Sequence, residues 1–212
     1  MVVWSVVVPA KRLAVAKTRL RPLTAAGPTA RATHDEWVLA MLADTVEAAL
    51  ASPAVGAVLV VTDEQAARAV VGPLGATTVP DEPDHGLNPA LRHGARAAGS
   101  PAVAALSSDL PALRPHELTA ALSAAELSPR CFVADAAGTG TTLLTALGTE
   151  LDPRFGRASA RAHRGSGAMA LAGDWPGLLR DVDTDADLRT ALVLGAGPRT
   201  TALLGRLRPS DA

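Results

Sequence analysis

Three aspartates and one basic stretch supply the residue types that phosphate chemistry needs. Asp109 closes the run Ser107-Ser108-Asp109 directly after the apolar residues Val103-Ala104-Ala105-Leu106. A carboxylate at the end of a strand suits magnesium, a hard cation that takes oxygen ligands from one or two carboxylates and from substrate phosphates. Capping of the following turn is the other use of such a residue. In Asp181-Val182-Asp183 an extended backbone sends both carboxylates to one side, where two like charges favour a cation between them. Alternatively, Asp183 or Thr184 caps a helix that opens at Asp185. Residues 9–20, PAKRLAVAKTRL, hold Lys11, Arg12, Lys17 and Arg19. Four cations at the mouth of a sheet can neutralise the phosphates of a nucleoside triphosphate, and the same four suit a solvated loop equally well. The stretch is neither a P-loop nor a dinucleotide fingerprint, because GxxxxGKS/T is missing and no glycine precedes Gly27.

Three glycine-bearing segments add possible ligand contacts. In Gly86-Leu87-Asn88, Gly86 would let backbone approach a base or ribose closely, and Asn88 has the side chain of a helix cap. Gly138-Thr139-Gly140-Thr141-Thr142 offers hydroxyls and amides as a cradle for a small anion, or else simply a hairpin connection. Phe155-Gly156-Arg157-Ala158-Ser159 leads into a short helix whose first amides would favour a phosphate or carboxylate. His163 lies four residues after Ser159, on the same helical face. A serine hydrolase built on that pair lacks GxSxG and any orienting acid. His34, His85, His93 and His116 have no metal-ligand spacing, and Cys131 sits in an apolar run that reads as core.

Holding these groups together takes an alternating α/β chain. Short β-branched runs at 2–8, 57–61, 76–79, 102–106, 131–134 and 141–147 predict strands. Helical spacing is read at 28–51, 65–71, 88–98, 115–125, 158–164 and 185–193. Such alternation gives a mostly parallel sheet with helices on its faces, and ligands then bind beyond the carboxyl ends of the strands. Polar residues do follow the strands: Ala10-Lys11, Thr62-Asp63, Pro80-Asp81, Asp109 and Asp135. The chain has 212 residues, 48% hydrophobic and 19% charged, which suffices for one core. One domain is expected over 1–198, with 199–212 as a C-terminal tail. A net charge of −1 gives no footprint for nucleic acid or an anionic membrane. A single cysteine fits a reducing compartment. No apolar stretch approaches the roughly 18 residues of a membrane span, and no basic segment precedes residues 2–8, so the expected location is the cytoplasm.

Taken in order, PAKRLAVAKTRL, VVTDE, DHGLNPAL, SSDLPAL, ADAAGTGTTLL, FGRASARAH and DVDTDADL resemble the phosphoenolpyruvate/2-phospholactate guanylyltransferases of deazaflavin coenzyme F(420) biosynthesis, from Val2 to about Leu188. The resemblance implies a single-domain Rossmann-like α/β nucleotidyltransferase fold of the glycosyltransferase-A-like kind. The GxGxRxxP loop of sugar-phosphate nucleotidyltransferases is replaced by Pro9-Ala10-Lys11, which favours this small family over them. The resemblance further implies GTP as donor, Thr141, Gly156 and Ser159 for a phosphoenolpyruvate-like acceptor, and Asp109, Asp181 and Asp183 for magnesium. It gives Lys11, Lys17, Gly86 and Asn88 to the nucleotide, with Lys11, Lys17 and Asp109 acting in transfer. Other acceptors stay open: 2-phospholactate, 3-phosphoglycerate, or a molybdopterin-type metabolite. So does a nucleotide sensor without turnover. The FGRAS wording looks like the actinobacterial branch, which is associated with phosphoenolpyruvate.

Overall fold

The computed structural model describes residues 2–10, 30–82 and 86–207. They form a seven-stranded sheet in the order β3-β2-β1-β4-β6-β5-β7. The strands are β1 (Trp4–Pro9), β2 (Val55–Val61), β3 (Thr77–Val79), β4 (Ala102–Leu106), β5 (Arg130–Ala134), β6 (Thr141–Leu147) and β7 (Met169–Leu171). β1 pairs in parallel with β2 and β4, and β2 with β3. β6 runs against both β4 and β5, and β5 is parallel to β7. Only β6 is therefore reversed, and the mostly parallel α/β sheet expected from the alternation is the one observed.

Parallel neighbours need long crossovers, and those crossovers cover both faces. On one face Val6, Val8, Val60 and Ala104 pack against α1 (Ala30–Leu50) through Leu42 and Val46, and against α4 (Pro115–Ala125) through Leu118 and Leu122. On the other, Val7, Val61, Ala105 and Phe132 meet Leu91 of α3 (Leu87–Ala98). Val6, Val7 and Val8 thus alternate between two cores, as strand geometry requires. α3 lies unusually close to the sheet: a Cβ on Gly94 would stand 2.5 Å from Val7 Cγ1 and 2.6 Å from Val61 Cγ2. Cys131 is fully buried, and burial pushes its thiol pKa up, as expected of a core residue.

The structure departs from the sequence expectations at several points. β7 is three residues long at the sheet edge with Met169 partly exposed, too short to show alternation. α6 (Pro176–Leu179) is a single turn. The stretch read as a tail begins instead as α8 (Pro198–Leu207). Its first amides are held by the Asp44 carboxylate of α1, which accepts from Arg199 N at 3.1 Å and Thr200 N at 2.8 Å. A negative charge at a helix start complements the macrodipole. A third cluster joins Trp37 and Met41 of α1 to Val182, to Leu188 of α7 (Asp185–Leu194) and to Leu203 of α8.

Replacing Gly94 by alanine should push α3 off the sheet. The expected cost is about 1–3 kcal/mol of unfolding free energy, measured by urea denaturation.

Candidate active site

Because β6 is antiparallel, its first residue shares a rim with the last residue of β4. Leu106 pairs with Leu143, and Ser107 N donates to Thr142 O at 2.9 Å. A cavity of about 870 Å³ opens at this rim, and Asp109, Asp181, Asp183, Thr141, Gly156 and Ser159 all line it. Six residues chosen from the sequence therefore converge. Ala10 lines the same cavity, while Lys11, Arg12, Lys17, Arg19 and His85 lie outside the described residues.

The acidic wall is built by backbone ties. Leu110 N donates to Thr45 Oγ1 at 3.0 Å, which fixes the loop after β4. Val182 N donates to Asp109 O at 3.1 Å. Val182 itself is fully buried, so the residues on either side of it, Asp181 and Asp183, both reach the cavity. Buried Glu117 holds α6 in place by accepting from Gly177 N and Leu178 N at 3.0 and 3.1 Å. Gly177 is required there, since a Cβ would collide with Ala112 O. The cap of α7 is Thr184, in a reciprocal box with Asp187, and the cap of α4 is Arg114. Neither Asp183 nor Asp109 caps a helix. Among the described residues no three His, Cys, Asp or Glu side chains close on one point tightly enough to hold a metal alone.

The second wall rests on His163, which is fully buried. Its Nδ1 is 2.9 Å from Thr141 Oγ1, and its Nε2 accepts from Arg154 N at 2.9 Å. Burial pushes its pKa down to about 4; Asp152 acts in the opposite sense, and Arg154 and Arg130 reinforce the lowering. Burial raises the Asp152 carboxyl, but hydrogen bonds from Arg154 and Arg130 outweigh it and hold the pKa below the ordinary carboxylate value. The loop from Asp152 to Ala158 has strained backbone: Asp152 and Ala158 adopt φ of 47° and 56°, and Gly156 has φ of 130°. Non-glycine residues in this region cost about 1–3 kcal/mol each and cluster at ligand clamps.

The chain matches the family "Guanylyl transferase CofC like" over residues 4–210. It belongs to that family. The phosphoenolpyruvate guanylyltransferase of Geodermatophilus obscurus is 70% identical over 202 residues, covering 95% of this chain and 94% of the relative. That of Salinispora arenicola is 55% identical over 98% of this chain and 96% of its own length. Among solved structures, a Desulfovibrio desulfuricans protein assigned as a nucleotide-diphospho-sugar transferase superposes with TM-score 0.71 at 17% identity, covering 97% and 95% of the two chains. A nucleotidyl transferase from Methanothermobacter follows with TM-score 0.64 at 21% identity, over 91% and 97%. A manganese complex of a Mycobacterium tuberculosis protein has TM-score 0.53 at 19% identity, over 91% and 99%. These likenesses place the sheet in the nucleotidyltransferase fold.

In this guanylyl transferase Ser159 and His163 form no hydrolytic pair, because both ring nitrogens are taken by Thr141 and Arg154. The 135–140 segment is the hairpin alternative rather than an anion cradle: Asp135 accepts from Thr139 N at 2.9 Å and Gly140 N at 2.8 Å, using up those amides. The helix after Phe155, α5 (Ser159–Gly165), offers less than expected, since Ser159 N and Ala160 N already donate to Gly156 O and Thr139 O. Hydroxyls therefore carry that wall. Asn88 neither caps α3, whose cap is Gly86 at φ of 102°, nor lines the cavity. Its amide clamps Phe155, donating to the carbonyl at 3.0 Å and accepting from the N–H at 2.7 Å. Arg157 lines the cavity and was passed over in the sequence, although FGRAS contains it; it is the one cation among the described lining residues.

The His163 environment sets an acid limit on stability. The unfolded chain protonates this ring below pH about 6.5 while the folded one resists until about 4, so the unfolded state binds more protons in that window and stability falls with pH. The expected loss is up to about 3 kcal/mol, measured by denaturant unfolding at pH 7 and 4.5, and it disappears in His163→Phe.

Proposed function

We propose that this guanylyl transferase moves GMP from GTP to the phosphate of phosphoenolpyruvate. The observation that carries the reading is the meeting of an acidic wall and a hydroxyl wall in one cavity, on a chain 70% identical to a phosphoenolpyruvate guanylyltransferase over nearly its whole length. A volume of about 870 Å³ lies within the usual range of roughly 300–1,000 Å³ for small-molecule sites.

An acceptor phosphate oxygen attacks the α-phosphorus of GTP in line, the α–β bridging P–O bond breaks, and pyrophosphate leaves with the electron pair. The product is enolpyruvyl-diphospho-guanosine, a precursor for coenzyme F(420). The acceptor monoester is largely dianionic at neutral pH, its second pKa being about 6, so no general base is needed. This accounts for a site in which the buried histidine beside the substrate wall, His163, is locked in place. Catalysis then consists of positioning and charge neutralisation. Thr141 and Ser159 donate to the acceptor, and the positive-φ backbone at Gly156, next to the strained Ala158, shapes its seat. Lys11 and Lys17 take the nucleotide phosphates, and Gly86 gives the base close access to backbone; Asn88 contributes through its hold on Phe155.

Magnesium fits the acidic wall. Asp109, Asp181 and Asp183 are hard oxygen donors that do not form a closed cage, which suits a cation completing its shell with substrate phosphates. When bound there, it supplies positive charge against the phosphates.

Phosphoenolpyruvate is planar at its central carbon and 2-phospholactate tetrahedral, a difference worth only about 1–3 kcal/mol to a pocket. Overlapping use of both, with phosphoenolpyruvate preferred, is expected when kcat/KM is measured for the acceptors in parallel, 3-phosphoglycerate included. Products are identified by mass. Pyrophosphate release with no acceptor, or with none of these, overturns the reading. Asp109→Asn and Asp183→Asn should each lower turnover about tenfold or more, equivalent to roughly 1.4 kcal/mol of transition-state stabilisation, with folding intact by circular dichroism.

A further inference from the structure

We propose that His163 is a positioning residue for the acceptor: as a neutral imidazole protonated on Nδ1, it occupies a lone pair of Thr141 Oγ1 and leaves the threonine hydroxyl hydrogen for the substrate anion. The inference rests on the acceptor assignment above and deepens it.

The argument begins at a peptide group. Arg154 N–H can only donate, and it lies 2.9 Å from His163 Nε2, so Nε2 must present a lone pair. A neutral ring then carries its proton on Nδ1. Nδ1 is 2.9 Å from Thr141 Oγ1, so the ring donates and the threonine accepts. A hydroxyl has one hydrogen and two lone pairs. With one lone pair taken by the ring, the hydrogen is available to a partner in the cavity, which Thr141 lines. The opposite tautomer would set Nε2–H against the Arg154 N–H and turn the hydroxyl hydrogen inward, away from any anion.

The surroundings keep the ring in this state. His163 is fully buried, and Phe155 meets it edge-on at 5.1 Å between centroids, with Phe132 at 5.9 Å. The charged groups facing it are Asp152, Arg154 and Arg130. Asp152 is paired with Arg130 at 2.9 Å and with Arg154 at 3.2 Å, and so is neutralised by two cations. Arg154 N also belongs to the strained loop that carries Gly156, and Asn88 grips the same loop at Phe155. One side chain therefore sets both the polarity of the Thr141 hydroxyl and the placement of the loop next to it.

Ring nitrogens observed by 15N–1H correlation in the full chain, without substrates, should show protonated Nδ1 and pyridine-type Nε2, unchanged from about pH 5.5 to 8. A ring protonated on Nε2, or one that titrates in that range, overturns the proposal. In transfer assays His163→Phe should lower kcat/KM for phosphoenolpyruvate by about tenfold or more, the worth of a hydrogen bond to a charged group, while the KM for GTP stays within about twofold of wild type. Because His163 acts through Thr141, adding Thr141→Val to His163→Phe should cost little beyond Thr141→Val alone. His163→Asn, which restores an N–H near the Nδ1 position, should recover part of the acceptor kcat/KM. Unchanged acceptor kinetics in His163→Phe, or losses that simply multiply in the double variant, would refute the positioning role. If His163→Phe does not fold, the wild-type ring spectrum and the His163→Asn kinetics decide. A wild-type chain that transfers GMP to no acceptor sinks the proposed function instead, and the ring spectrum still settles which way the hydroxyl points.

Discussion

Antiparallel pairing between β4 and β6 puts the beginning of one strand beside the end of another, and both walls of the cavity follow from it. Had β6 run with its neighbours, Thr141 would stand at the far edge of the sheet, about 20 Å away at roughly 3.3 Å per residue. Asp109 would then face the cavity without Thr141. The reversal also sends the chain from β6 back across the lower edge, so the loop at 152–158 must climb to the rim again. His163 meets it there, and the Arg154 amide and the Thr141 hydroxyl become bridged by a single ring.

Three carboxylates of the molecule act on backbone. Glu117, Asp44 and Asp135 each take backbone N–H groups from a turn or helix start, an arrangement that satisfies a carboxylate's lone pairs; Asp44 also has the Arg199 guanidinium 3.5 Å away. These three are clamps: Glu117 delivers the segment leading to Asp181, Asp44 fastens the last helix, and Asp135 shapes the turn before Thr141. Asp109, Asp181 and Asp183 share the cavity wall, where Asp135 also stands. Chemistry at the rim thus depends on carboxylates that hold backbone in place, Asp135 among them although it lines the cavity too.

Strands and helices with strong local patterns were legible in the sequence. The bounds read for 102–106, 141–147, 65–71 and 115–125 coincide with β4, β6, α2 (Gln65–Val71) and α4, because apolar runs between turn residues leave little room for error. Strand direction was not legible, since alternation looks the same in either sense; that β6 alone is reversed came only with the register. Of the acidic and hydroxyl residues assigned to the metal and the acceptor, only Asp109 follows a strand; Asp181, Asp183, Thr141 and Ser159 were singled out by the order of the motifs. Asn88 was misread as a cap for lack of any local sign of Phe155, its partner 67 residues away. His163 showed its helical face but not the peptide group that dictates its protonation. Both depend on contacts between distant segments, and single-sequence periodicity carries no record of those.

Val182 is buried in the same cluster as Leu203, which ties the acidic wall to α8. Asp181 and Asp183 sit on a segment held by Glu117 at α6, by the Asp109 carbonyl at Val182, and by this cluster. Thr141 is carried by the sheet itself. Loosening α8 from Asp44 would therefore slacken one wall of the cavity and leave the other standing.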